Sequence, residues 1–470
     1  MMVFILALVA FSVDLGIITL AKTEIKRSTD AAALAGAGVL IEGTEAANRQ
    51  AFELLVRNPV GNFDMTEGDD AWEDNLATLM EEHADEFETE VGHWNPETRT
   101  FEVSDELPST IRVVATRPNL PLFFSGIFGI NNFSVSAESI AQYQPRDIAV
   151  VLDFSGSMND DSELKRIDSS GNNREVVEAS LAEIYADLGS PTYGDMEFTP
   201  QYISTTDTTQ IKKDLGLRYY QDGMWHNVPY PYPSGSWDDY INYVKNNYNV
   251  YRAGYRKKYG YMTLINYWLE SKCQHSQTPD LWKGNAQPIG SVKDAVAVFM
   301  EYIQEVDTDD RVALVIYNSY SQQALVEHSL TEDFAAVSNT VEHRQAGHYD
   351  SYTNIGDGIR YAKQELDANG RMGAFKMIVL MTDGIANKPS GVDAAQYAKD
   401  QADLAKENGY PIVTISLGSG ADTSLMQSIA DRTNGHHFNI PGTDTVTDHH
   451  EDLLQVFRNI ADARPLILVK

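Results

Sequence analysis

The chain contains few cysteines and few basic residues. Among its 470 residues there is one cysteine, Cys273. It therefore permits neither an intramolecular disulfide nor a cysteine-based zinc site. Lys and Arg number 36 against 68 Asp and Glu, which gives a formal charge of −32. Because a surface of this sign repels nucleic acid and anionic lipid head groups, we expect no nucleic-acid partner.

Common catalytic and nucleotide-binding motifs are also missing. The sequence has no phosphate-binding loop, no G-x-S-x-G, no H-E-x-x-H and no EF-hand loop. Two histidine pairs, His436 with His437 and His449 with His450, lack ligand spacing to a third partner, so surface positions are expected for them. The sequence therefore predicts a binding protein and not an enzyme.

The N-terminus carries a long apolar run. Met1 to Leu20 (MMVFILALVAFSVDLGIITL) has about the 20 residues that a helix needs to cross a bilayer. Lys22 and Glu24 follow it directly, where a cleaved signal peptide would have a small-residue cleavage site. We therefore expect an uncleaved single-pass anchor over residues 1–22.

Charged residues in and beside this run leave two questions open. The basic residues after Leu20 would by themselves favour keeping the following segment in the cytoplasm, so charge alone leaves the orientation ambiguous. Asp14 lies inside the run, and an ionisable group in a membrane span usually faces a protein partner. It indicates either packing against another membrane helix or a position near the membrane interface.

Two segments separate this run from the remainder of the chain. Residues 23–42 are rich in Ala and Gly (STDAAALAGAGVL), which lets helices approach closely and predicts a packed helical stalk. Residues 43–145 combine helical stretches (AANRQAFELLVRN, WEDNLATLMEEHADEFETE) with β-like runs (EVGHW, TRTFEV, TIRVVATR, SVSAESIAQY) and predict a small α+β domain. The acidic stretch from Glu67 to Glu90 is interpreted as a solvated helix face.

From Arg146 onward, short apolar strands alternate with amphipathic helices. The strands are IAVVLD, RVALVIYN, KMIVLMTDG and PIVTISLG. Continuous apolar strands between helices predict an α/β fold, a doubly wound and mostly parallel sheet with helices on both faces. In such sheets ligands bind at the carboxyl ends of the strands, where Asp153 and Asp383 fall.

A large insertion interrupts this alternation at about residues 159–290. It holds 15 of the 24 tyrosines and 4 of the 6 tryptophans. Aromatic side chains build both the cores of small subdomains and recognition surfaces, so both interpretations stay open. The set includes Trp225, Trp237, Tyr240, Tyr243, Trp268 and Trp282.

Oxygen-bearing side chains cluster at three loops of the predicted sheet edge. Asp153, Ser155 and Ser157 follow the first strand at alternate positions, which by itself is a weak signal because these residues favour turns. Thr353 precedes a helix, and Asp383 closes another buried strand. Oxygen ligands suit a hard cation, so the five residues predict a site for one divalent metal.

These three loops resemble the metal-ion-dependent adhesion site of von Willebrand factor type A domains. The resemblance covers residues 146–463 less the insertion, and it implies a short antiparallel edge strand near Gln322 to His328. It also implies that hydroxyls such as those of Ser155, Ser157 and Thr353 touch the metal directly, while acids such as Asp153 and Asp383 act mostly through water or hydrogen bonds. We expect Mg²⁺, with Mn²⁺ and Ca²⁺ as alternatives, and a protein partner that offers an Asp or Glu carboxylate.

The N-terminal segment VDLGIITLAKTEIKRSTDAAALAGAGVL is similar to TadE/TadG-like proteins of Tad pilus assembly. The order of anchor, small-residue stretch, short domain and type A domain is that of the family, and it implies a role in Tad/Flp pilus assembly or adhesion. The resemblance also implies that the bulk of the chain lies in the periplasm or cell envelope and that other membrane or pilus-assembly components are partners. Two alternatives are a structural anchored module, with contacts made by the aromatic insertion around an architectural metal, and a metal-assisted hydrolase or chelatase-like subunit.

Overall fold

The computed structural model describes residues 2–60, 76–95, 98–104, 108–306, 309–317, 321–441 and 448–470, and for residues 2–7, 128, 306, 448 and 449 it describes the backbone alone. The chain divides into two compact units. Unit 1 comprises Met1–Pro145, Val306–Thr308 and Ala463–Lys470. Unit 2 comprises Arg146–Glu305 and Asp309–Asp462.

The described residues form helices and strands that are numbered along the chain. The α-helices are α1 (Met2–Gly38), α2 (Thr44–Arg57), α3 (Leu76–Glu82), α4 (Arg174–Asp187), α5 (Thr208–Asp214), α6 (Trp237–Asn246), α7 (Tyr248–Arg252), α8 (Tyr261–Ser271), α9 (Ile289–Val306), α10 (Phe334–Glu342), α11 (Ile355–Asn369), α12 (Ala394–Glu407), α13 (Thr423–Arg432) and α14 (Asp448–Asp462). The strands are β1 (Phe87–Asn95), β2 (Thr100–Val103), β3 (Thr110–Pro121), β4 (Asn132–Tyr143), β5 (Arg146–Asp153), β6 (Gln201–Tyr202), β7 (Arg218–Gln221), β8 (Met224–Asn227), β9 (Lys258–Tyr259), β10 (Arg311–Tyr317), β11 (Ala324–Thr331), β12 (Phe375–Thr382), β13 (Ile412–Leu417), β14 (His437–Ile440) and β15 (Leu466–Leu468).

Unit 1 is built around the long helix α1. Its small residues Ala32, Ala33 and Ala37 are fully buried against α2 and the antiparallel sheet. A Cβ atom on Gly36 would lie 2.8 Å from Ile111 Cδ1 and 3.0 Å from the Ala47 carbonyl oxygen, so only glycine allows this approach. The Ala/Gly-rich stretch predicted as a stalk is thus the part of α1 that packs most closely on its own unit.

The sheet of unit 1 has the order β15-β4-β3-β1-β2. Strand β15, near the C-terminus, pairs antiparallel with β4 through Leu466 and Tyr143. Residues 466–468 therefore complete a sheet whose other strands precede residue 145, and no sequence pattern predicts this pairing.

The interpretation of residues 72–90 as one helix was wrong, because α3 ends at Glu82 and β1 begins at Phe87, which pairs with β3. The ring of Phe87 packs against Phe52 of α2, which favours the strand.

Asp14 has its partners within unit 1. It is buried, and its carboxylate accepts hydrogen bonds from the backbone amides of Phe123, Phe124 and Ser125 and from the Ser125 hydroxyl. The interpretation that Asp14 faces another membrane helix was therefore wrong in its choice of partner. Within the part of the chain that the structure describes, no helix has both the length and the apolar character needed to span a membrane. The expected anchor over residues 1–22 falls partly outside that part.

Unit 2 contains a six-stranded sheet in the order β11-β10-β5-β12-β13-β14. All neighbouring strands are parallel except β11, which runs antiparallel to β10 at the edge. The mostly parallel α/β sheet and its antiparallel edge strand are confirmed, with the edge strand at Ala324–Thr331. The strand order reverses direction between β5 and β12, and such reversal points are where doubly wound sheets bind ligands.

Alternate residues of the central strands face two different cores. Ile148, Val150 and Leu152 of β5 pack with α9, α10, α14 and most of the insertion, while Ala149 and Val151 pack with α11, α12 and α13. The insertion is thus part of the cover of one sheet face. Eight of its 19 tyrosines and tryptophans are buried: Trp237, Tyr240, Tyr243, Tyr255, Tyr259, Tyr261, Tyr267 and Trp268. Four more are partly buried and pack against the same core, so the core interpretation holds for most of them: Tyr185, Tyr193, Tyr230 and Tyr232.

Candidate metal centre

The first loop of the candidate site begins where β5 ends at Asp153. This side chain is fully buried, with Oδ1 accepting from the Ser155 amide at 2.8 Å and Oδ2 accepting from Thr382 Oγ1 at 2.8 Å. One bond fixes the loop that follows β5, and the other joins β5 to its neighbour β12. The carboxylate is therefore held in one orientation at the carboxyl ends of two adjacent strands.

The two serines of the first loop connect it to Asp383. The hydroxyls of Ser155 and Ser157 lie 2.8 Å apart, and Ser157 Oγ donates to Asp383 Oδ1 at 2.8 Å. Asp383 follows the last residue of β12, so the connection spans the reversal point of the strand order. Four of the five predicted residues thus form one continuous chain of polar contacts.

Thr353 reaches the same place from the loop before α11. Its amide donates to Asn387 Oδ1 at 2.9 Å, and its carbonyl accepts from the Asn387 amide at 2.9 Å, which ties its loop to the one after β12. A Cβ atom on Gly384 would lie 3.6 Å from Ser157 Oγ and 3.7 Å from Thr353 Oγ1. Both hydroxyls therefore border the small space above Gly384, beside Asp383.

Burial raises the pKa of both acids of the site. Removal from water raises the pKa of Asp153. Burial, together with the nearby charge of Asp153, raises the pKa of Asp383 well above its usual range. Among the described residues neither carboxylate forms an ion pair with a basic side chain. Arg166 lies on the wall of the same cleft but pairs with Asp161. Two buried carboxylates to which no described basic side chain is bonded are an arrangement that a bound cation stabilises.

The site opens into a cleft of about 430 Å³. Site residues Ser157, Thr353 and Asp383 lie on its wall. The insertion contributes Asp160 and Asp161 at its beginning, and Pro288 near its end lies on the wall as well. The insertion therefore frames the cleft, and a partner's side chain has room to enter.

Two residues that the sequence did not single out support Asp153. Thr382 donates to its carboxylate, and Tyr317, at the end of β10, donates its hydroxyl to the Met381 carbonyl at 2.6 Å and is directly paired with Asp153 in the sheet. Burial, and next the Asp153 charge, raise the pKa of Tyr317 well above its usual range. The only sequence signal was their position, each being the last residue of a strand next to β5.

Residues left out of the predicted site have other partners. Asp357 accepts from Asn354 Nδ2, Arg360 Nε and Tyr397 Oη, each at 2.8 Å, so its oxygens are used within the α11 region. His437 Nδ1 lies 2.9 Å from Thr414 Oγ1, and His450 lies 3.5 Å from Asp294. The side chain of His449 is outside the described residues.

The donor set fits a small divalent cation of the Mg²⁺ kind. It consists of hydroxyl and carboxylate oxygens alone, and Mg²⁺ prefers oxygen ligands. Across the described ranges, no group of three or more His, Cys, Asp or Glu side chains is placed to hold a metal. The hydroxyls of Ser155, Ser157 and Thr353 would therefore have to supply part of any such site.

Family models match three parts of the chain. Residues 283–451 match the model described as von Willebrand factor type A domain. This chain contains a type A domain. Residues 35–141 match a model for Tad-like Flp pilus-assembly, and residues 1–39 match one for TadE/G-like Flp pilus-assembly. The type A match begins near the end of the insertion, although β5 with Asp153 is a central strand of the same sheet.

Solved structures resemble the chain at low sequence identity. The vWF domain of the type V pili tip protein Mfa5 from Porphyromonas gingivalis is 13% identical, covers 68% of this chain and 94% of its own, and has a TM-score of 0.33. BatB from Bacteroides thetaiotaomicron is 14% identical over 37% of this chain and 88% of its own, with a TM-score of 0.29. The open conformation of the pilus adhesin SpaC from Lactobacillus rhamnosus GG is 16% identical over 37% of this chain and 28% of its own, with a TM-score of 0.30. No curated protein matches the chain.

Proposed function

We propose that this protein is a membrane-anchored, envelope-facing component of Tad/Flp-type pilus assembly or adhesion that binds a protein partner through a divalent cation. The observation that carries the proposal is the meeting of three loops at the reversal point of the sheet, with Ser157, Thr353 and Asp383 on the wall of one open cleft. The Tad matches at the N-terminus support it, because pilus-assembly regions and a type A domain occur in one chain.

In this proposal the cation is held by Ser155, Ser157 and Thr353, with Asp153 and Asp383 as the supporting acids. When bound, the cation supplies a positive centre that accepts an oxygen ligand from outside the chain. The hydroxyl ligands carry no charge, so the positive charge is only partly neutralised and an Asp or Glu of the partner is the favoured ligand. The chain's own net charge of −32 would otherwise repel such an acid.

Thr353 offers the sharpest test of this arrangement. Thr353→Val keeps the shape of the side chain and removes its hydroxyl, and Thr353→Ser restores the hydroxyl without the methyl group. Mg²⁺ binding to the full-length chain in detergent, measured by titration calorimetry, is expected to be lost in Thr353→Val and regained in Thr353→Ser. Ser419→Ala, which lies on the same cleft wall, is the matched control and is expected to bind like the wild type.

Partner capture tests the second half of the proposal. Immobilised full-length protein is incubated with solubilised envelope from piliated cells, with Mg²⁺ or with EDTA. The wild type and Ser419→Ala are expected to retain a pilus-assembly protein that EDTA releases, and Thr353→Val is expected not to. Capture that is unaffected by both EDTA and Thr353→Val would refute a metal-bridged contact.

A second candidate assigns partner contacts to the β7–β8 hairpin of the insertion. Unlike the buried aromatic residues, Tyr219, Tyr220 and Trp225 are exposed there, and Tyr220 packs edge-on against Trp225 at 5.3 Å. Exposed aromatic residues are common at recognition surfaces. Under this candidate, Tyr220→Ser with Trp225→Ser abolishes capture while Mg²⁺ binding stays intact. Undiminished capture by that double variant would exclude it.

A further inference from the structure

The loop between β3 and β4 in unit 1 is free of charged residues. No charged residue occurs between Arg117 and Glu138, in a chain of which 22% is charged. The sequence after β3, LFFSGIFGI (residues 122–130), is largely apolar, and four of its large side chains are exposed to solvent: Phe123 is 73% exposed, Phe124 41%, Ile127 82% and Ile130 57%. A soluble surface seldom carries so many large apolar side chains on one short segment.

Helix α1 beside this loop is also apolar and exposed. Leu8, Val9, Phe11, Val13 and Leu15 are each at least 41% exposed. At 3.6 residues per turn these positions spread over more than half of the helix circumference. One groove on a protein partner covers a single stripe of a helix, whereas lipid surrounds it, so this distribution favours a bilayer.

Asp14 ties the loop to this helix. Its Oδ1 accepts from the Phe123 and Phe124 amides at 3.0 and 3.2 Å, and its Oδ2 accepts from the Ser125 amide at 2.7 Å and from the Ser125 hydroxyl. These bonds satisfy backbone groups that lipid cannot satisfy. They also neutralise much of the cost of a carboxylate within an apolar segment. The tie places the loop alongside the helix at the level of residue 14.

The position of Asp14 along helix α1 determines how deep the loop would lie in the membrane. Asp14 lies six residues before Leu20, where the apolar run ends, and at 1.5 Å per residue this is about 9 Å along the helix. Apolar faces at membrane surfaces penetrate to about 5–10 Å. Loop side chains beside residue 14 would thus lie near the boundary between head groups and acyl chains.

We propose that the β3–β4 loop is a second membrane-contacting element, in which Phe123, Phe124, Ile127 and Ile130 enter the head-group boundary of a phospholipid bilayer while Asp14 holds the loop against helix α1. The inference rests on the anchoring part of the proposed function. The helix and the loop together would fix the depth and the tilt of unit 1 at the membrane, which a single helix leaves free.

Lipid quenching of a single fluorophore tests the loop directly. In the full-length chain with Cys273→Ser, a polarity-sensitive probe is attached at Ile127→Cys, and the protein is reconstituted into phosphatidylcholine vesicles. The expected result is a blue-shifted emission that lipids with a nitroxide near the head-group end of the acyl chain quench more strongly than lipids with one near the methyl end. A probe at Val103→Cys, an exposed apolar position on β2 of the same unit, is expected to remain unquenched.

A probe at Phe11→Cys separates failure of the loop from failure of the anchor. Quenching at Phe11 without quenching at Ile127 would overturn the loop proposal and leave the anchor intact. Absence of quenching at both positions would overturn both. An emission shift at Ile127 that depends on protein concentration and not on lipid nitroxides would assign the loop to contact between copies of the chain, and would also overturn the proposal.

Asp14→Ala tests the tie. With its acceptors removed, the Phe123, Phe124 and Ser125 amides no longer bond to the helix, so the depth preference of quenching at Ile127 is expected to be lost while quenching at Phe11 persists. An unchanged depth preference at Ile127 would overturn the role assigned to Asp14.

Discussion

Thr382 donates a hydrogen bond of 2.8 Å from its hydroxyl to Asp153 Oδ2, across two neighbouring parallel strands. Asp153 Oδ1 is used at the same time by the Ser155 amide at 2.8 Å. The two bonds fix the carboxylate between β5 and β12 before any ligand arrives. Asp153 is thus positioned by a residue that is not itself a predicted ligand.

Removing the Thr382 hydroxyl should weaken metal binding without removing a ligand. Thr382→Val leaves Asp153 Oδ2 buried without this donor, and groups that orient metal-site residues typically change affinity about 10- to 100-fold. We expect a loss of Mg²⁺ affinity in that range by titration calorimetry. Thr116→Val, whose hydroxyl bonds to Ser136 on the exposed side of β3, is the control and should bind as the wild type does. Wild-type affinity in Thr382→Val would contradict the positioning role.

Neutralising Asp383 should stabilise the metal-free protein and abolish its stabilisation by Mg²⁺. Because burial and Asp153 raise its pKa, the folded state keeps a proton that the unfolded chain releases as the pH rises above about 4, so rising pH destabilises the metal-free fold. Asp383→Asn removes this penalty. At pH 7 in EDTA, its Tm should exceed that of the wild type, and Mg²⁺ should raise the Tm of the wild type alone.

The raised pKa values of Asp153 and Asp383 also predict how Mg²⁺ affinity changes with pH. A cation competes with protons for the two acids, so Mg²⁺ affinity should fall as the pH is lowered and binding should release protons. Calorimetry in two buffers of different ionisation enthalpy measures that release. Equal heats in the two buffers would contradict the raised pKa of the two acids in the metal-free site.

The insertion should be essential to the fold, with the exception of its hairpin. Trp268 is fully buried, and its indole donates to the Tyr230 hydroxyl at 2.9 Å. Trp268→Ala should lower the free energy of unfolding by about 3–5 kcal/mol. Trp225→Ala, at a side chain that is 46% exposed, should change it by no more than about 0.5 kcal/mol. Chemical denaturation measures both, and equal effects would contradict the division between core and surface.

His348 should make unit 2 sensitive to mild acid. Burial and the nearby charge of Arg344 lower its pKa to about 3, while the ring stacks on His275 at 4.7 Å. As the pH falls below about 6.5, the unfolded chain binds a proton that the folded state refuses, so stability is lost progressively toward pH 3. His348→Phe keeps the ring and removes the titration.

Denaturation between pH 6.5 and pH 5 tests this sign, because the difference between His348→Phe and the wild type isolates the titration of His348 from that of the carboxylates. The loss of stability over the window should be smaller in His348→Phe than in the wild type. His436→Gln, at an exposed position, should behave as the wild type. An identical pH dependence in all three proteins would refute the role of His348.

The site residues could be predicted because each belongs to a local pattern. An apolar strand that ends in an acid places Asp153 and Asp383 at a sheet edge, and alternation along the chain adds Ser155 and Ser157. Their binding of a metal stays a prediction. Thr382 and Tyr317 could not be recognised in the same way, because their importance comes from neighbouring strands that lie far away in the sequence.

The sequence by itself determined the α/β class, the mostly parallel sheet and the edge at which the five oxygen-bearing residues gather, because strand periodicity and chain direction are local properties. Only the tertiary structure decided which aromatic residues of the insertion are buried, that β15 returns to β4, and that Asp14 bonds to amides more than 100 residues away. These contacts form between segments that are distant in the sequence, so neither the composition nor the spacing of residues along the chain predicts them.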